Sequence, residues 1–301
     1  MQTYLVKLIA LFLALWGTSA PCLAHRAAPI APPTAESRYI TGLLRLGDDP
    51  TATPAPTWGE EAAQTEEAGP TPAPVDDAQL DAGYLDEWFD GSVMIGDSIV
   101  AGLSNFVQNE RYQKHTCLGE MKFASASAFT LKKAMQCEKK QRVGELLFRG
   151  KYMTISEVVS SVQAGRAFIM IGASDLRWFT VDEFIEAYDS ILEIVAQSNP
   201  ETRIYITSVV PMVKEYADTV KVNAEQNREL NQSLQAYCQE KGYGYVEIAD
   251  YVRDEEGYLD RQYSASDYRF HLNGKGKTHW IRSLREIARQ EYYEGEWTPS
   301  R

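Results

Sequence analysis

Gly96-Asp97-Ser98 follows four residues of strand character, Ser92-Val93-Met94-Ile95, and leads into Ile99-Val100-Ala101-Gly102, a run that can open a helix. A serine at such a corner lies where the carboxyl end of a strand meets a helix N-terminus. In an open parallel sheet that edge is where ligands bind. The first N–H groups of the helix have no intrahelical acceptor and can face a developing negative charge. The chemistry this suggests is nucleophilic attack by Ser98. The structural alternative is that Asp97 or Ser98 only caps the helix.

A serine nucleophile needs a base, usually histidine, and often an acid that orients it. The chain has four histidines: His25, His115, His271 and His279. His25 lies in a Pro- and Ala-rich stretch. His115 sits in a polar loop with no evident acid nearby, and His279 falls inside a helical pattern. His271 stands in Ser266-Asp267-Tyr268-Arg269-Phe270-His271-Leu272-Asn273, just before the last helix, and Asp267 is close enough in sequence to contact its ring. Ser98 with His271, oriented by Asp267, is the expected catalytic set. Arg177 and Trp178 are candidates for substrate contact. Asn223, Asn227 and Asn231 recur at helical spacing and are expected to bond neighbouring loops. His271 and His279 are eight apart, outside the three to five residues of paired metal ligands, so neither a metal nor a cofactor is expected.

Positioning these residues requires several elements. Strands are expected at Val93–Ile95, at 120–124, at Arg166-Ala167-Phe168-Ile169-Met170-Ile171-Gly172, at 203–210 before Pro211, and at 243–248. Helical periodicity marks 181–197, 223–241 and 274–293. Near-continuous apolar strands alternating with helices predict an α/β fold, a parallel sheet covered by helices on both faces. The stretch 131–152 is rich in Lys and Arg and is expected to be a surface excursion.

The net charge of −12 is unevenly spread. Residues 47–110 hold 14 acidic side chains and no Lys or Arg, whereas 111–301 hold 27 acidic and 26 basic ones. With no basic stripe or aromatic–basic motif, nucleic acid is not an expected partner. Residues 1–24 have the form of a signal peptide, with Lys7, the apolar run Leu8–Trp16 and small residues at Cys22-Leu23-Ala24. Residues 25–78 have the Pro/Ala/Thr/Glu composition of a disordered linker, leaving 79–301 as the folded domain. This organisation predicts a secreted protein; an uncleaved N-terminal anchor is the alternative. Cys117, Cys137 and Cys238 remain after the signal segment. An odd number favours free buried thiols over a Cys117–Cys137 bridge.

Three blocks resemble the SGNH/GDSL hydrolases: Gly96-Asp97-Ser98-Ile99, Ile171-Gly172-Ala173-Ser174-Asp175, and Asp267 with His271. Further pieces, Asp86-Glu87-Trp88-Phe89-Asp90-Gly91, 204–211 and 254–259, resemble a secreted bacterial branch of that superfamily. The resemblance implies a flavodoxin-like three-layer α/β/α sandwich with about five parallel strands. It also implies Ser98 as nucleophile, His271 as base, Asp267 as orienting acid and the Ser98 N–H as one oxyanion donor. Three departures stand out. Ser174 occupies the place of the family's oxyanion asparagine. The family's second block, which normally supplies a glycine N–H and lies between the Gly96 and Ile171 pieces, falls on Ala124-Ser125-Ala126-Ser127, which lacks a glycine; and the acid–histidine spacing is one residue longer than usual.

Together these features predict a secreted serine esterase acting on ester-linked acyl groups. O-acetyl groups of an acylated cell-wall or extracellular glycan are the expected substrate class. The alternatives are an O-acyltransferase on the same scaffold and a glycan-binding descendant of low or no activity.

Overall fold

The computed structural model of the protein describes residues 73–113 and 115–299. The expected signal segment and most of the expected linker lie outside these residues. Packing begins at Val75, ahead of the expected boundary at 79. Val75 is buried, its N–H donates to Tyr293 Oη at 2.9 Å, and Tyr293 Oη donates back to its carbonyl. The short helix α1 (Asp77–Asp81) follows, opened by a capping box between Asp76 and Gln79. A 3-10 turn, Asp86–Phe89, then drops Trp88 and Phe89 into the core.

The main chain then alternates as its patterning dictates. Strand β1 (Ser92–Gly96) leads to α2 (Ser98–Tyr112), and β2 (Lys122–Ser125) leads to α3 (Leu131–Glu138). A hairpin, β3 (Leu146–Phe148) and β4 (Lys151–Met153), precedes α4 (Ile155–Val162). Strand β5 (Arg166–Met170) is followed by α5 (Val181–Ser198), and β6 (Arg203–Thr207) by α6 (Lys214–Val220) and α7 (Ala224–Lys241). Strand β7 (Gly244–Val246), α8 (Ala249–Val252) and α9 (Gly274–Tyr293) complete the described chain. The five long-range strands form one parallel sheet in the order β2-β1-β5-β6-β7. One helical layer contains α3, α4, α5 and α7; on the other side α9 packs with α1, α2 and α8. This is the expected three-layer α/β fold.

The strand order reverses between β1 and β5. The chain leaves β1 for β2 on one side, then returns to β5 on the other. Such a switch point opens a crevice at the carboxyl ends of the strands. Register sharpens this: Gly96 pairs with Ser125 of β2 and with Met170 of β5. The loops after β1, β2 and β5 therefore leave the sheet at one level, side by side.

Two glycines make the close packing there possible. A Cβ on Gly96 would lie 2.2 Å from the Met170 carbonyl oxygen. Gly172 has φ +120°, and a Cβ there would lie 2.1 Å from the Phe184 ring.

Several expectations change in detail. Strand β6 ends at Thr207, before the expected 210: the N–H and carbonyl of Val209 are taken by the Asn231 side chain, and Ser208 Oγ accepts from the N–H groups of Ile248 and Ala249. Strand β7 is limited to 244–246. The basic stretch 131–152 is more than a surface excursion. Leu131, Ala134, Cys137 and Leu146 are buried, and the Glu138 carboxylate accepts from the N–H groups of Ile155 and Ser156 at the start of α4. Its lysines hid this periodicity. Cys117, Cys137 and Cys238 are buried free thiols.

Candidate active site

Asp97 and Ser98 divide between them the two readings of the corner. Asp97 has extended backbone and is the N-cap of α2, its Oδ1 accepting from the Ile99 N–H at 2.8 Å. Ser98 is the first helical residue, half-buried, with its hydroxyl free to face the crevice. Its N–H has no intrahelical acceptor, as for any residue in the first turn.

Ser98 Oγ lies 2.8 Å from His271 Nε2. The other ring nitrogen, Nδ1, is hydrogen-bonded to Asp267 Oδ2. A carboxylate can only accept, so Nδ1 carries the proton, and Nε2 is left as the acceptor for the serine O–H. The structure thus brings Ser98, His271 and Asp267 into one hydrogen-bonded chain at the switch point.

The segment carrying His271 and Asp267 is closely tied down. The Ala265 N–H donates to the His271 carbonyl at 2.7 Å, and Ser264 and Leu272 form an antiparallel bridge. The Val213 N–H donates to the Arg269 carbonyl at 2.7 Å, which joins the segment to the chain beyond β6. The extra residue between acid and base is absorbed by Tyr268, whose φ of +49° is left-handed. That turn lets Asp267 reach back to the ring four residues on. Asn273 then caps α9 by accepting from the Gly276 N–H.

Burial pushes the Asp97 carboxyl up to about 6, against the opposing pull of the Ile99 N–H and of His271. Burial also raises Asp175, although the Leu131 N–H, Arg177 and the Lys132 N–H draw it back. Asp175 was visible only as the last residue of the Ile171-Gly172-Ala173-Ser174-Asp175 block. Its carboxylate accepts from the Leu131 N–H at 3.0 Å and ties that block to the start of α3. Thr130, just before Leu131, is itself the N-cap of α3.

The remaining candidates are placed as follows. Ser174 lies in the loop after β5, half-buried, and its hydroxyl has no hydrogen-bond partner among the described residues. Arg177 and Trp178 follow on the same loop. Both are exposed, and the guanidinium stands over the indole at 4.9 Å from the ring centroid. In the glycine-free second block, the Ala126 N–H donates to the Gly96 carbonyl. Ala128 takes the left-handed conformation, φ +55°, that a glycine would adopt more easily. The N–H groups of Ser127 and Ala128 have no acceptor among the described residues.

The other histidines do different work. The His279 ring lies parallel to Tyr251 and meets Tyr263 in a T-shaped contact. His115 does have an acid partner, Glu110 Oε2 at 2.9 Å, on the exposed side of α2. Asn231 bonds both the N–H and the carbonyl of Val209, and Asn227 donates to the same carbonyl. Asn223 caps α7. Asn227 and Asn231 thus hold the loop after β6 to α7, as expected, whereas Asn223 bonds Gln226 of its own helix.

Among solved structures, the chain is similar to a protein from Bacteroides fragilis assigned as an acylhydrolase. The identity is 14%, the coverage is 67% of this chain and 87% of that one, and the TM-score is 0.52. It is also similar to a GDSL-like lipase from Bacteroides thetaiotaomicron, at 16% identity, with 70% of this chain and 98% of that one covered and a TM-score of 0.50. These likenesses concern the fold. By sequence, no curated protein matches the chain. The profile of the GDSL-like lipase/acylhydrolase family matches residues 94–278, from within β1 to the first turns of α9. That span covers more than half of the chain and takes in Ser98, Ser174, Asp267 and His271, and the protein belongs to the GDSL-like lipase/acylhydrolase family.

Proposed function

We propose that this ester-bond hydrolase is a secreted serine esterase that removes acyl groups, acetyl first among them, from extracellular carbohydrate. The observation that carries the catalytic part is the hydrogen-bonded chain from Ser98 Oγ through His271 to Asp267. The Ser98 hydroxyl attacks the ester carbonyl as its proton passes to His271 Nε2. The imidazolium that forms is stabilised by Asp267 through Nδ1–H. The tetrahedral oxyanion gathers at the N-terminus of α2, where the Ser98 N–H is free to donate. The Ser174 hydroxyl serves as a second donor, and an N–H of Ser127 or Ala128 as a third. His271 returns its proton to the leaving alkoxide. Water, deprotonated by the same nitrogen, then attacks the acyl-enzyme and releases Ser98.

Support for a carbohydrate substrate comes from the rim. An exposed tryptophan is a flat surface for a sugar ring, and Arg177 beside it can donate to ring hydroxyls. Secretion rests on residues 1–78, whose leader and linker composition suits a domain held away from the cell surface.

The test is labelling with a fluorophosphonate, followed by acetate release from acetylated oligosaccharides. Labelling and release are both expected for the native chain, and neither for Ser98→Ala. A native protein that takes no label and releases no acetate would overturn the esterase reading. Transfer of the acetyl group to an added sugar in preference to water would replace it with the acyltransferase.

A further inference from the structure

Helix α9 carries five long cations; Lys275 is exposed to solvent, and three of the other four have carboxylate partners. Arg282 meets Asp77 and Asp81, Arg285 meets Asp86, and Arg289 meets Asp77 and Glu286. Lys277 differs. It is half-buried, and its ammonium has no carboxylate or hydrogen-bond partner among the described residues. Burial alone draws its pKa below the usual lysine value, and no neighbouring anion offsets it.

The position of this ammonium is specific. The first turns of α9 lie on α2: a Cβ on Gly274 would meet Phe106, and a Cβ on Gly102 would lie 3.5 Å from Lys277 Cε and 3.7 Å from its Nζ. Gly102 is four residues on from Ser98 and so lies on the same helix face, about 6 Å along the axis. His271 approaches Ser98 from the segment that runs directly into α9. The unpaired ammonium therefore stands against α2 about one helical turn along the axis from Ser98.

Resting on the esterase reading above, we infer that Lys277 is an anion subsite and that the preferred ester carries a carboxylate about one helical turn from the bond that breaks, as an acylated acidic sugar does. A half-buried cation without a partner is unfavourable in the empty enzyme. A substrate carboxylate arriving there supplies the missing charge and makes a charge-assisted hydrogen bond. A single ammonium suits one carboxylate; a phosphate dianion is more often held by several donors or by arginine.

Two acetyl esters of matched size test this: 4-acetoxybenzoate, whose para carboxylate lies about that far from the ester, and its neutral methyl ester. The native enzyme is expected to show a roughly tenfold lower KM for the carboxylate ester, fading as salt is raised. Lys277→Met should erase that preference while leaving kcat/KM for the methyl ester within about twofold, and Lys277→Arg should keep most of it. An equal KM for the two esters in the native enzyme would overturn the subsite. So would Lys277→Met falling equally on both esters. Turnover of neither ester by native protein, with no fluorophosphonate label, would overturn the esterase reading itself and the subsite with it.

Discussion

Ser98 Oγ and His271 Nε2 lie 2.8 Å apart although 173 residues separate them in the chain. The contact exists because β1 delivers Ser98 to the switch point and the segment before α9 crosses back over the same edge. The asymmetry between the two residues matters. Ser98 is fixed by a helix, whereas His271 is held by a loop that Ala265, Val213 and Asp267 restrain.

Asp267 is the restraint that also sets the tautomer of His271. Asp267→Asn is expected to lower kcat by roughly 10²–10³-fold with little change in KM or Tm. A smaller loss than for a fully buried acid is expected because the Asp267 side chain is 35% exposed, so water can partly replace it. Steady-state kinetics alongside thermal melts check this; a loss below about fivefold would mean that the carboxylate does not orient the base.

Ser174 stands where the family's blocks lead one to expect an amide, and its hydroxyl is uncommitted. Ser174→Ala is expected to cost up to about 10²-fold in kcat, the lower range for one oxyanion donor. Ser174→Asn should restore the longer donor and raise kcat above native. KM should move little in either variant, since the oxyanion exists only along the reaction path. A Ser174→Ala enzyme with native kcat would assign the hole to Ser98 and the second-block N–H groups.

Asp97 supplies a pH signature. Its carboxyl is raised from 3.8 to about 6 by burial. The folded state therefore holds a proton that the unfolded state has released between those values, and stability falls as pH rises from about 4 to about 6. Two units correspond to about 3 kcal/mol at most. Asp97→Asn keeps an oxygen for the Ile99 N–H but cannot ionise. The stability of this variant relative to native is thus expected to climb across that window and level off above it. Denaturant melts at pH 4, 5, 6 and 7 measure the difference; a difference independent of pH would contradict the burial argument.

The glycines at the carboxyl edge are steric requirements. Gly96→Ala would drive a Cβ to 2.2 Å from the Met170 carbonyl oxygen, a backbone atom with little room to yield. Gly172→Ala would meet the buried Phe184 ring at 2.1 Å, in a left-handed conformation as well. Each is expected to cost on the order of 3 kcal/mol or more. Gly165→Ala, where a Cβ meets nothing within 4 Å, is the control and should stay within about 0.5 kcal/mol.

Local pattern in the chain determined the sheet and the long helices, and it singled out the candidate catalytic residues. Strand β1, helix α9 and the Gly242 stop of α7 follow from apolar periodicity and cap chemistry, which act within a few residues. The pairing of Ser98 with His271 was also legible, because histidines are few and the family's blocks stand in order. Other features depended on tertiary structure because they arise between segments far apart in sequence. That Asp97 rather than Ser98 caps α2, that Tyr268 turns left-handed to absorb the longer spacing, and that Leu131 and Leu146 sink beneath a basic surface are decided by packing. The same holds for Lys277. In sequence it is one more lysine on an amphipathic helix; folded, it is the half-buried ammonium that α9 sets against Gly102 without a counter-charge, because α2 presents a glycine there and no carboxylate.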